Sequence, residues 1–438
     1  MNTRVVSITR KGSLGCFDES KGALDRLEHW HIRPEANEAI EMLQPAAEYL
    51  RTKDTPVAFP TETVYGLGAD ATRSGSVRGI YSAKGRPSDN PLIVHVSDLH
   101  MLRSLLGSKH TGEDVIPVRY KSLIEKFWPG PLTILLPNPD PSPLAPEVTA
   151  GLKSFGVRMP SSPLALTLIK LAGVPLAAPS ANASTKPSPT AAQHVKDDLD
   201  GRIELILDGG SCQVGVESTV VDGLCNPPVV LRPGGIGMEE IRSCPGWENV
   251  VKAYKDQSEE GKAAPRAPGM KYKHYSPKAR VVLYESTYRD SKHGIIGADA
   301  VTATILATAI TNGDPIPSAN GHFRKRIGVI RTKRWKPAAG LQCSDLQIFA
   351  GQNGDHSETS YDVYTGDLKG DNGDVIGEVF DISLGEDTRG IAQGLFSALR
   401  ELDRRGVDII FVDGIDDDLD IAAAVMNRLR KAASEIRA

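Results

Sequence analysis

Two short segments, about ninety residues apart in the chain, carry side chains that suit a nucleotide. In KGRPSDNPL the cations Lys84 and Arg86 lie two positions apart, and the amide of Asn90 follows. In PSAN the small donors are Ser180 and Asn182. Lysine and arginine supply charge and directed donors to phosphate oxygens, and short hydroxyl and amide groups bind phosphates or ribose hydroxyls. A Lys-Gly-Arg triplet alone is common in exposed turns, so it is the pairing of the segments that predicts a nucleotide site without a phosphate loop.

Five further motifs surround these segments. They are FPTETVYGLG at 59–68, WPGPLT at 128–133, GVRMP at 156–160, GVESTV at 215–220 and LRPGG at 231–235. With these motifs in this order, the chain resembles the YrdC-type threonylcarbamoyl-AMP synthase family, strongly over about residues 44–237. The segment PGMKYKHYSP at 268–277 is similar to the interdomain linker of that family's two-domain members, and the last third resembles them more loosely.

The resemblance implies an enzyme that joins L-threonine, bicarbonate and ATP into threonylcarbamoyl-AMP with loss of pyrophosphate. It also implies a downstream partner, a tRNA-threonylcarbamoyl transferase complex that uses the product to modify tRNA to threonylcarbamoyladenosine. A carbamate on the threonine amine reverts in water, so the site should be deep and closable. Transfer at phosphorus requires positioning and charge neutralisation more than covalent help.

The family's motifs divide the candidate site residues between the two substrates. On the threonine side the resemblance implies Thr63, Tyr65, His95, Arg158, Ser218 and, through its backbone, Ala178. On the ATP side it implies Lys84, Arg86, Asn90, Ser154, Ser180, Asn182, Ser188 and Arg232, with Lys84 and Arg86 also catalytic. Arg158 suits the threonine carboxylate because a guanidinium can bind one through two donors. The alternatives are a packed turn around Tyr65, a buried core imidazole at His95 and a plain sheet residue at Ser218.

The linker is the second informative feature. In the family it passes over the cleft, so Tyr272, His274 and Tyr275 are predicted to close the site against water. An aromatic linker that is only packed between domains is the alternative. We expect Mg²⁺ to arrive with ATP and to bind mainly through its phosphates, because Mg²⁺ keeps most of its waters. The acidic run 416–420 precedes a helix, where acidic residues favour the N-terminus, and no protein metal site is predicted.

The elements that must position these residues predict an α/β fold in two parts. Strands are expected at 57–59, 92–96, 132–136, 155–158, 175–178, 203–207, 218–222, 228–232, 280–284, 326–330 and 408–412, and helices at 45–51, 76–84, 120–128, 164–172, 388–405 and 419–433. The first part is predicted to be a YrdC-like twisted mixed sheet with an open concave cleft. The second, smaller part has the βα rhythm of a Rossmann-like parallel sheet. It contains no G-x-G-x-x-G fingerprint, so the rhythm predicts no cofactor of its own.

Domain boundaries follow from this pattern. They are an N-terminal extension at 1–35, the synthase domain at 36–250, the linker at 251–278 and the C-terminal domain at 279–438. Residues 351–374 are polar and glycine-rich and are predicted to be a mobile loop. The first residues contain several cations and hydroxyls but also two acids, which favours a disordered cytosolic extension over a transit peptide.

Composition excludes several classes of protein. The chain has 438 residues, 40% hydrophobic and 24% charged, and a net charge of −4, so no global field attracts nucleic acid. No apolar run approaches the length of a membrane span. The cysteines are scattered and odd in number, typical of a reducing compartment: Cys16, Cys212, Cys225, Cys244 and Cys343. The predicted location is the cytoplasm, with a mitochondrial form as an alternative.

Two other functions stay open at this point. A concave basic sheet could bind double-stranded RNA or tRNA through phosphates, with steep salt dependence. A similar domain also occurs in carbamoyl transfer during hydrogenase maturation. That system adds acylphosphatase and zinc-finger modules, and this chain has neither. Dependence on threonine, rather than on carbamoyl phosphate, separates the two enzymes.

Overall fold

Two large β-sheets carry the architecture in this computed structural model, which describes residues 2–8, 14–107, 114–254, 274–288, 294–295, 325–349, 361–370, 372–417 and 421–438. The strands of the N-terminal part are β1 (Arg4–Ser7), β2 (Gly15–Cys16), β3 (His31–Ile32), β4 (Val57–Phe59), β5 (Gly66–Asp70), β6 (Ile93–His95), β7 (Leu132–Pro137), β8 (Ser154–Arg158), β9 (Leu176–Ala177), β10 (Leu205–Asp208), β11 (Thr219–Asp222), β12 (Val229–Arg232) and β13 (Val251–Lys252).

The first sheet is mixed. Its order is β1-β10-β4-β5-β9-β6-β8-β7-β11-β12-β13, while β2 and β3 pair with each other. Strand β6 pairs with β8 in parallel and with β9 antiparallel. Because the central strands are buried on both faces, their sequences are short apolar runs rather than alternations of apolar and polar residues. Every residue of β4 and β6 is buried, and the predicted mixed α/β fold is confirmed.

Short helices cover this sheet. They are α1 (Asn37–Thr52), α2 (Ser74–Lys84), α3 (Leu99–Leu106), α4 (Val118–Phe127), α5 (Pro146–Thr149), α6 (Pro163–Ala172), α7 (Ala192–Leu199) and α8 (Met238–Arg242). Gly85 ends α2 with a φ of +63°, a conformation that glycine adopts without penalty. Lys84 therefore occupies the last turn of α2, and the chain leaves in a new direction towards Arg86. No helix in the described ranges is long and apolar enough to cross a bilayer.

Helix α1 is longer than predicted. The predicted start at residue 45 rested on the rule that proline is tolerated in a first helical turn. The structure begins the helix at Asn37 and places Pro45 in its interior. A buried stripe that includes Ala39, Leu43 and Leu50 packs the helix against the sheet. Tertiary packing of this stripe outweighs the local penalty of the proline.

The first thirty-five residues, where the structure describes them, are folded into the synthase domain. Strand β1 pairs in parallel with β10 and extends the large sheet. Leu27 and Trp30 are buried, and the indole Nε1 of Trp30 donates to Thr167 Oγ1 at 3.0 Å. The expected disordered extension at residues 1–21 is therefore wrong where the structure describes them, since β1 belongs to the sheet and Ile8, Leu14 and Phe17 are also buried. The expectation weighed the charged and hydroxyl composition, whereas the few large apolar side chains decide the outcome.

The second sheet belongs to the C-terminal part. Its elements are β14 (Arg280–Tyr284), β15 (Lys325–Arg331), β16 (Gln347–Ile348), β17 (Val363–Lys369), β18 (Val375–Ser383), α9 (Thr388–Arg404), β19 (Ile409–Asp413), α10 (Ala422–Ala432) and β20 (Glu435–Arg437). The strand order is β16-β17-β18-β15-β19-β14-β20, and the pairs from β18 to β20 are parallel. Asp387 caps α9 through Gly390 N, and the predicted apolar stripe Ile391, Leu395, Leu399 and Leu402 is buried.

The predicted mobile loop at 351–374 is wrong over part of its length. Val363–Lys369 forms β17, which pairs antiparallel with β18. Most of its side chains are only partly buried. An antiparallel strand near a sheet edge can face water on one side, so it does not need the apolar run that the prediction required. Residues 351–360 of the predicted loop lie outside the described residues.

Candidate functional site

A cavity of about 740 Å³, including its mouth, opens where the motifs of the first sheet converge. Its walls come from the loops after β4, α2 and β9, from β6, from the ends of β8 and β12, from the two residues before β11 and from the end of the linker. Predicted residues in its lining are Thr63, Lys84, Arg86, His95, Arg158, Ala178, Ser180, Asn182, Ser188, Ser218, Arg232, His274 and Tyr275. The structure thus brings both sets of predicted residues to one cavity.

The two opening segments of the sequence meet at Lys84. Its ammonium donates to the carbonyl of Ser180 and, at 2.6 Å, to that of Asn182. Lys84 is only 3% exposed. Burial, reinforced by the neighbouring charge of Arg86, holds the pKa of Lys84 well below its usual value. A polyanion in the cavity would favour the charged ammonium and oppose this shift.

Arg86 is a second, half-buried cation of this wall. Its Nη2 donates to the carbonyl of Pro91 at 3.2 Å, while its Nε is buried and has no hydrogen-bond partner. Burial lowers the pKa of Arg86 to about 10. A buried donor without an acceptor is energetically unfavourable. Arg86 therefore has hydrogen-bonding capacity left for a ligand.

A second part of the wall is built around Arg158, at the end of β8. Its Nη1 donates to Thr63 Oγ1 at 2.9 Å, its Nη2 to Glu62 Oε1 at 2.5 Å, and its Nε to the carbonyl of Gly130 at 3.2 Å. The ion pair with Glu62 is almost completely buried. These bonds use three of the five N–H groups of the guanidinium, which leaves two.

His95 lies beside Arg158 in the parallel register of β6 and β8. Its Nδ1 is 3.2 Å from the carbonyl of Ile93. Burial, with the charge of Arg158 as a second cause, lowers the pKa of His95 to about 3. The imidazole is therefore neutral at physiological pH and contributes hydrogen bonding rather than charge.

Ser218 and Arg232 form a third part of the wall. The hydroxyl of Ser218 lies 2.8 Å from Thr133 Oγ1 and accepts from Arg232 Nη2 at 3.1 Å. Arg232 also donates twice to the carbonyl of Ser218. Burial lowers the pKa of Arg232 to about 10, although Glu217 opposes the shift. This arginine is held at the end of β12 by backbone contacts.

Glu217 is a site residue that the sequence reasoning missed. Among the described residues that line the cavity it is the one carboxylate. Its Oε1 accepts from Ser188 Oγ at 2.5 Å, and its Oε2 accepts from Arg428 Nε at 3.0 Å. Burial opposes its charged form, but Arg428 and Arg232 hold the pKa of Glu217 below its usual value. Its position in GVESTV, next to Ser218, was the available signal.

The end of the linker reaches the cavity. His274 and Tyr275 both line it, and Tyr275 is 5% exposed. Tyr275 has a φ of +65°, a strained conformation for a residue with a side chain. Ser276 N donates to the carbonyl of Thr185 at 2.9 Å, and this bond joins the linker to the wall beside Lys84. Tyr272, the third predicted lid residue, lies outside the described residues.

Three predicted residues do not line the cavity. The hydroxyl of Tyr65 donates to the carbonyl of Gly210 at 2.8 Å, so this side chain packs inside the domain. Ser154 begins β8, about 13 Å along the strand from Arg158 at a rise of about 3.3 Å per residue. Asn90 is buried behind the loop, with Oδ1 unsatisfied. Residue types in a motif do not reveal which way each side chain points.

The donor set does not form a cage for a metal ion. Glu217 is the one carboxylate in the described lining, and both of its oxygens already accept hydrogen bonds. Mg²⁺ prefers several oxygen ligands in an octahedral arrangement. The described side chains that line the cavity therefore do not fit an ion held by protein groups alone.

Comparison with known families covers nearly the whole chain. Residues 50–234 match the Sua5/YciO/YrdC family model, described as telomere recombination, and residues 236–434 match the model for the threonylcarbamoyl-AMP synthase C-terminal domain. A threonylcarbamoyl-AMP synthase from Schizosaccharomyces pombe is 45% identical over 425 residues, covering 93% of this chain and 92% of that protein. The chain belongs to the threonylcarbamoyl-AMP synthase family.

Two further relatives agree with this membership. The threonylcarbamoyl-AMP synthase of Bacillus subtilis is 41% identical, covering 89% of this chain and 92% of that protein. The crystal structure of Pyrococcus abyssi Sua5 complexed with L-threonine superposes with a TM-score of 0.68 at 34% identity, covering 99% of both chains. The two-part architecture is thus shared with a threonylcarbamoyl-AMP synthase family member over its full length.

Proposed function

We propose that this protein makes threonylcarbamoyl-AMP from L-threonine, bicarbonate and ATP, with release of pyrophosphate and water. The observation that carries the proposal is one cavity whose lining includes both the cations Lys84 and Arg86 and the pair Arg158 and His95. Such a cavity can hold a polyphosphate and an amino acid next to each other. The threonine complex of the Pyrococcus abyssi relative supports threonine as one substrate.

The reaction joins the two substrates in two steps. The threonine amine adds to the carbon of bicarbonate, water leaves, and a carbamate forms. A carbamate oxygen then attacks the α-phosphorus of ATP, and the bond to the β-phosphate oxygen breaks to release pyrophosphate. Since such a transfer requires little covalent help, the protein has mainly to align the two groups and to neutralise charge.

The ATP side supplies that neutralisation. Lys84 and Arg86 are both desolvated, so their interaction with phosphate is stronger than it would be in water. Ser180 and Asn182 carry the neutral groups of the same wall, and the Ser180 hydroxyl donates to Asn182 Oδ1 at 2.5 Å. Mg²⁺ would enter with ATP and remain mainly on its phosphates. No step of the proposal depends on a protein-held ion.

The threonine side supplies orientation. The two remaining N–H groups of Arg158 can bind the threonine carboxylate while the other three keep the guanidinium in place. His95 is neutral and next to it, so it can bind a polar group of threonine without repelling Arg158. Ser218 is the third candidate on this side.

The linker closes the cavity in this proposal. His274 and Tyr275 line the site with Thr185 and Ser188, so a substrate would be enclosed between the linker and the sheet. Exclusion of water protects the carbamate from reverting. The product would pass to a transferase that modifies tRNA, and the cytoplasm remains the predicted location.

A double-label experiment tests the proposal. The protein is incubated with Mg²⁺, labelled bicarbonate and ATP labelled in the adenine, with or without L-threonine, and the products are separated. We expect one product that carries both labels and forms only when threonine is present. A doubly labelled product without threonine, or ATP consumption that incorporates no bicarbonate, would contradict it. Replacing bicarbonate by carbamoyl phosphate should not support the reaction.

A further inference from the structure

Glu217 places a negative charge in the wall of a cavity that is proposed to hold ATP. Its pKa lies below its usual value, so it is ionised at neutral pH. ATP brings several negative charges of its own, and two like charges in a desolvated site repel strongly. A compensating cation at Glu217 is therefore a condition for nucleotide binding.

Arg232 of the synthase domain contributes to this compensation, and a second cation comes from the C-terminal domain. Arg428 lies on α10 and is 0% exposed. It donates through Nε to Glu217 and through Nη1 to the carbonyl of Pro233, next to Arg232. Its Nη2 is buried and makes no hydrogen bond in the described parts of the chain. The ion pair with Glu217 thus offsets much of the unfavourable desolvation of this guanidinium.

The same domain also holds the linker in place. The Tyr275 ring stacks on Phe396 of α9 with centroids 5.2 Å apart. The guanidinium carbon of Arg428 lies 5.7 Å from the centre of the Tyr275 ring, within the range of a cation–π contact. Arg428 therefore contacts the cleft carboxylate, the strand-end loop at Pro233 and the linker tyrosine at once.

We propose that Arg428 is a positioning residue through which the C-terminal domain completes the nucleotide site of the synthase domain. Arg428 compensates the charge of Glu217 and contacts Tyr275, so tight ATP binding requires the docked C-terminal domain. This inference rests on the proposed function. It assigns to the second domain a role in ATP binding that is separate from joining the two domains.

A second arginine on the same side of the interface provides a matched control. Arg400 of α9 is also almost buried and donates to the carbonyl of Pro187 and to both oxygens of Asp198. It makes at least as many contacts between the domains as Arg428 does. It does not contact Glu217 and does not line the cavity. Loss of Arg400 therefore tests docking without removing the compensating charge.

The test measures kcat and the KM for ATP and for threonine on the full-length protein and five variants: Arg428→Ala, Arg428→Lys, Arg400→Ala, Glu217→Gln and the double variant Arg428→Ala with Glu217→Gln. We expect Arg428→Ala to raise the KM for ATP about 10- to 100-fold, the range for one charge-assisted contact. Arg428→Lys should recover part of this loss because it keeps the charge. Arg400→Ala breaks a buried ion pair and should lower the stability of the protein. It should leave the KM for ATP within about twofold of that of the parent, because Arg400 does not contact Glu217.

The double variant separates charge compensation from packing. Without the carboxylate no counter-charge is needed, so its KM for ATP should lie within about threefold of that of Glu217→Gln alone. If the double variant binds ATP as poorly as Arg428→Ala, or if Arg400→Ala raises the KM equally, Arg428 serves docking only and the inference is overturned. If Arg428→Ala does not fold, the Arg428→Lys and double variants decide by the same comparison. A parent protein without threonine-dependent activity would instead refute the proposed function.

Discussion

Arg158 combines a structural role with a proposed binding role, and paired substitutions can separate the two. Arg158→Met removes one partner of a buried ion pair whose members are 5% and 6% exposed. It leaves the Glu62 carboxylate with the backbone donor Ser161 N at 3.1 Å but without its counter-charge. Breaking such a pair typically lowers the free energy of unfolding by about 3–5 kcal/mol.

A second substitution should restore stability but not binding. In the double variant Arg158→Met with Glu62→Gln both charges are gone, so we expect at least about 2 kcal/mol of the lost stability to return. Threonine affinity should remain about 10- to 100-fold weaker in both variants, because the carboxylate of threonine has lost its partner. Glu62→Gln alone keeps Arg158 and is the matched control for binding.

Urea unfolding and calorimetric titration with L-threonine provide the two readouts. Recovery of threonine affinity together with stability in the double variant would refute the binding role of Arg158. A loss of less than about 1 kcal/mol in Arg158→Met would refute the buried ion pair itself.

Three further predictions follow from single residues. Burial lowers the pKa of His95 to about 3 in the folded protein. As the pH falls, the imidazole is therefore protonated in the unfolded chain before it is protonated in the folded protein, which favours unfolding. The free energy of unfolding should decrease by about 2 kcal/mol from about pH 8 to pH 5, and His95→Asn should lack this part of the slope in urea titrations. Tyr65→Phe loses the bond to Gly210 and should destabilise by about 1 kcal/mol, with the KM for threonine unchanged in steady-state assays. Gly234→Ala would place a Cβ 2.2 Å from Thr219 N and 2.3 Å from the Ser218 carbonyl carbon. The melting temperature should therefore fall sharply, and ATP turnover should be lost. A normal melting curve for this variant would contradict the close backbone approach.

Much of the site was predictable because its motifs lie at the ends of apolar strands. The β6 and β8 runs are short and rich in buried residues, and His95 and Arg158 end them. When the two strands pair in parallel, as they do in the structure, their last residues are neighbours. The position of Lys84 at the end of a helix was also predictable, since the glycine that follows it is typical of a helix C-terminus.

Other features depend on contacts that no spacing encodes. Glu217 and Arg428 are 211 positions apart, and only the docking of α10 brings them together. Tyr65 lies in the right motif, yet a bond to Gly210, 145 positions away, turns its hydroxyl from the cavity. In the first residues Trp30 anchors the chain through Thr167 on α6, 137 positions away. Contacts between residues far apart in the chain determine all three features, and local composition does not predict such contacts.

The most direct test of the central claim is pyrophosphate release from ATP and Mg²⁺ by the parent protein and by Lys84→Ala, with and without threonine and bicarbonate. The account predicts that release requires both threonine and bicarbonate and falls to background in Lys84→Ala, because the buried ammonium joins the two chain segments of the ATP side. Release that is indifferent to threonine, or that survives in Lys84→Ala, would contradict it.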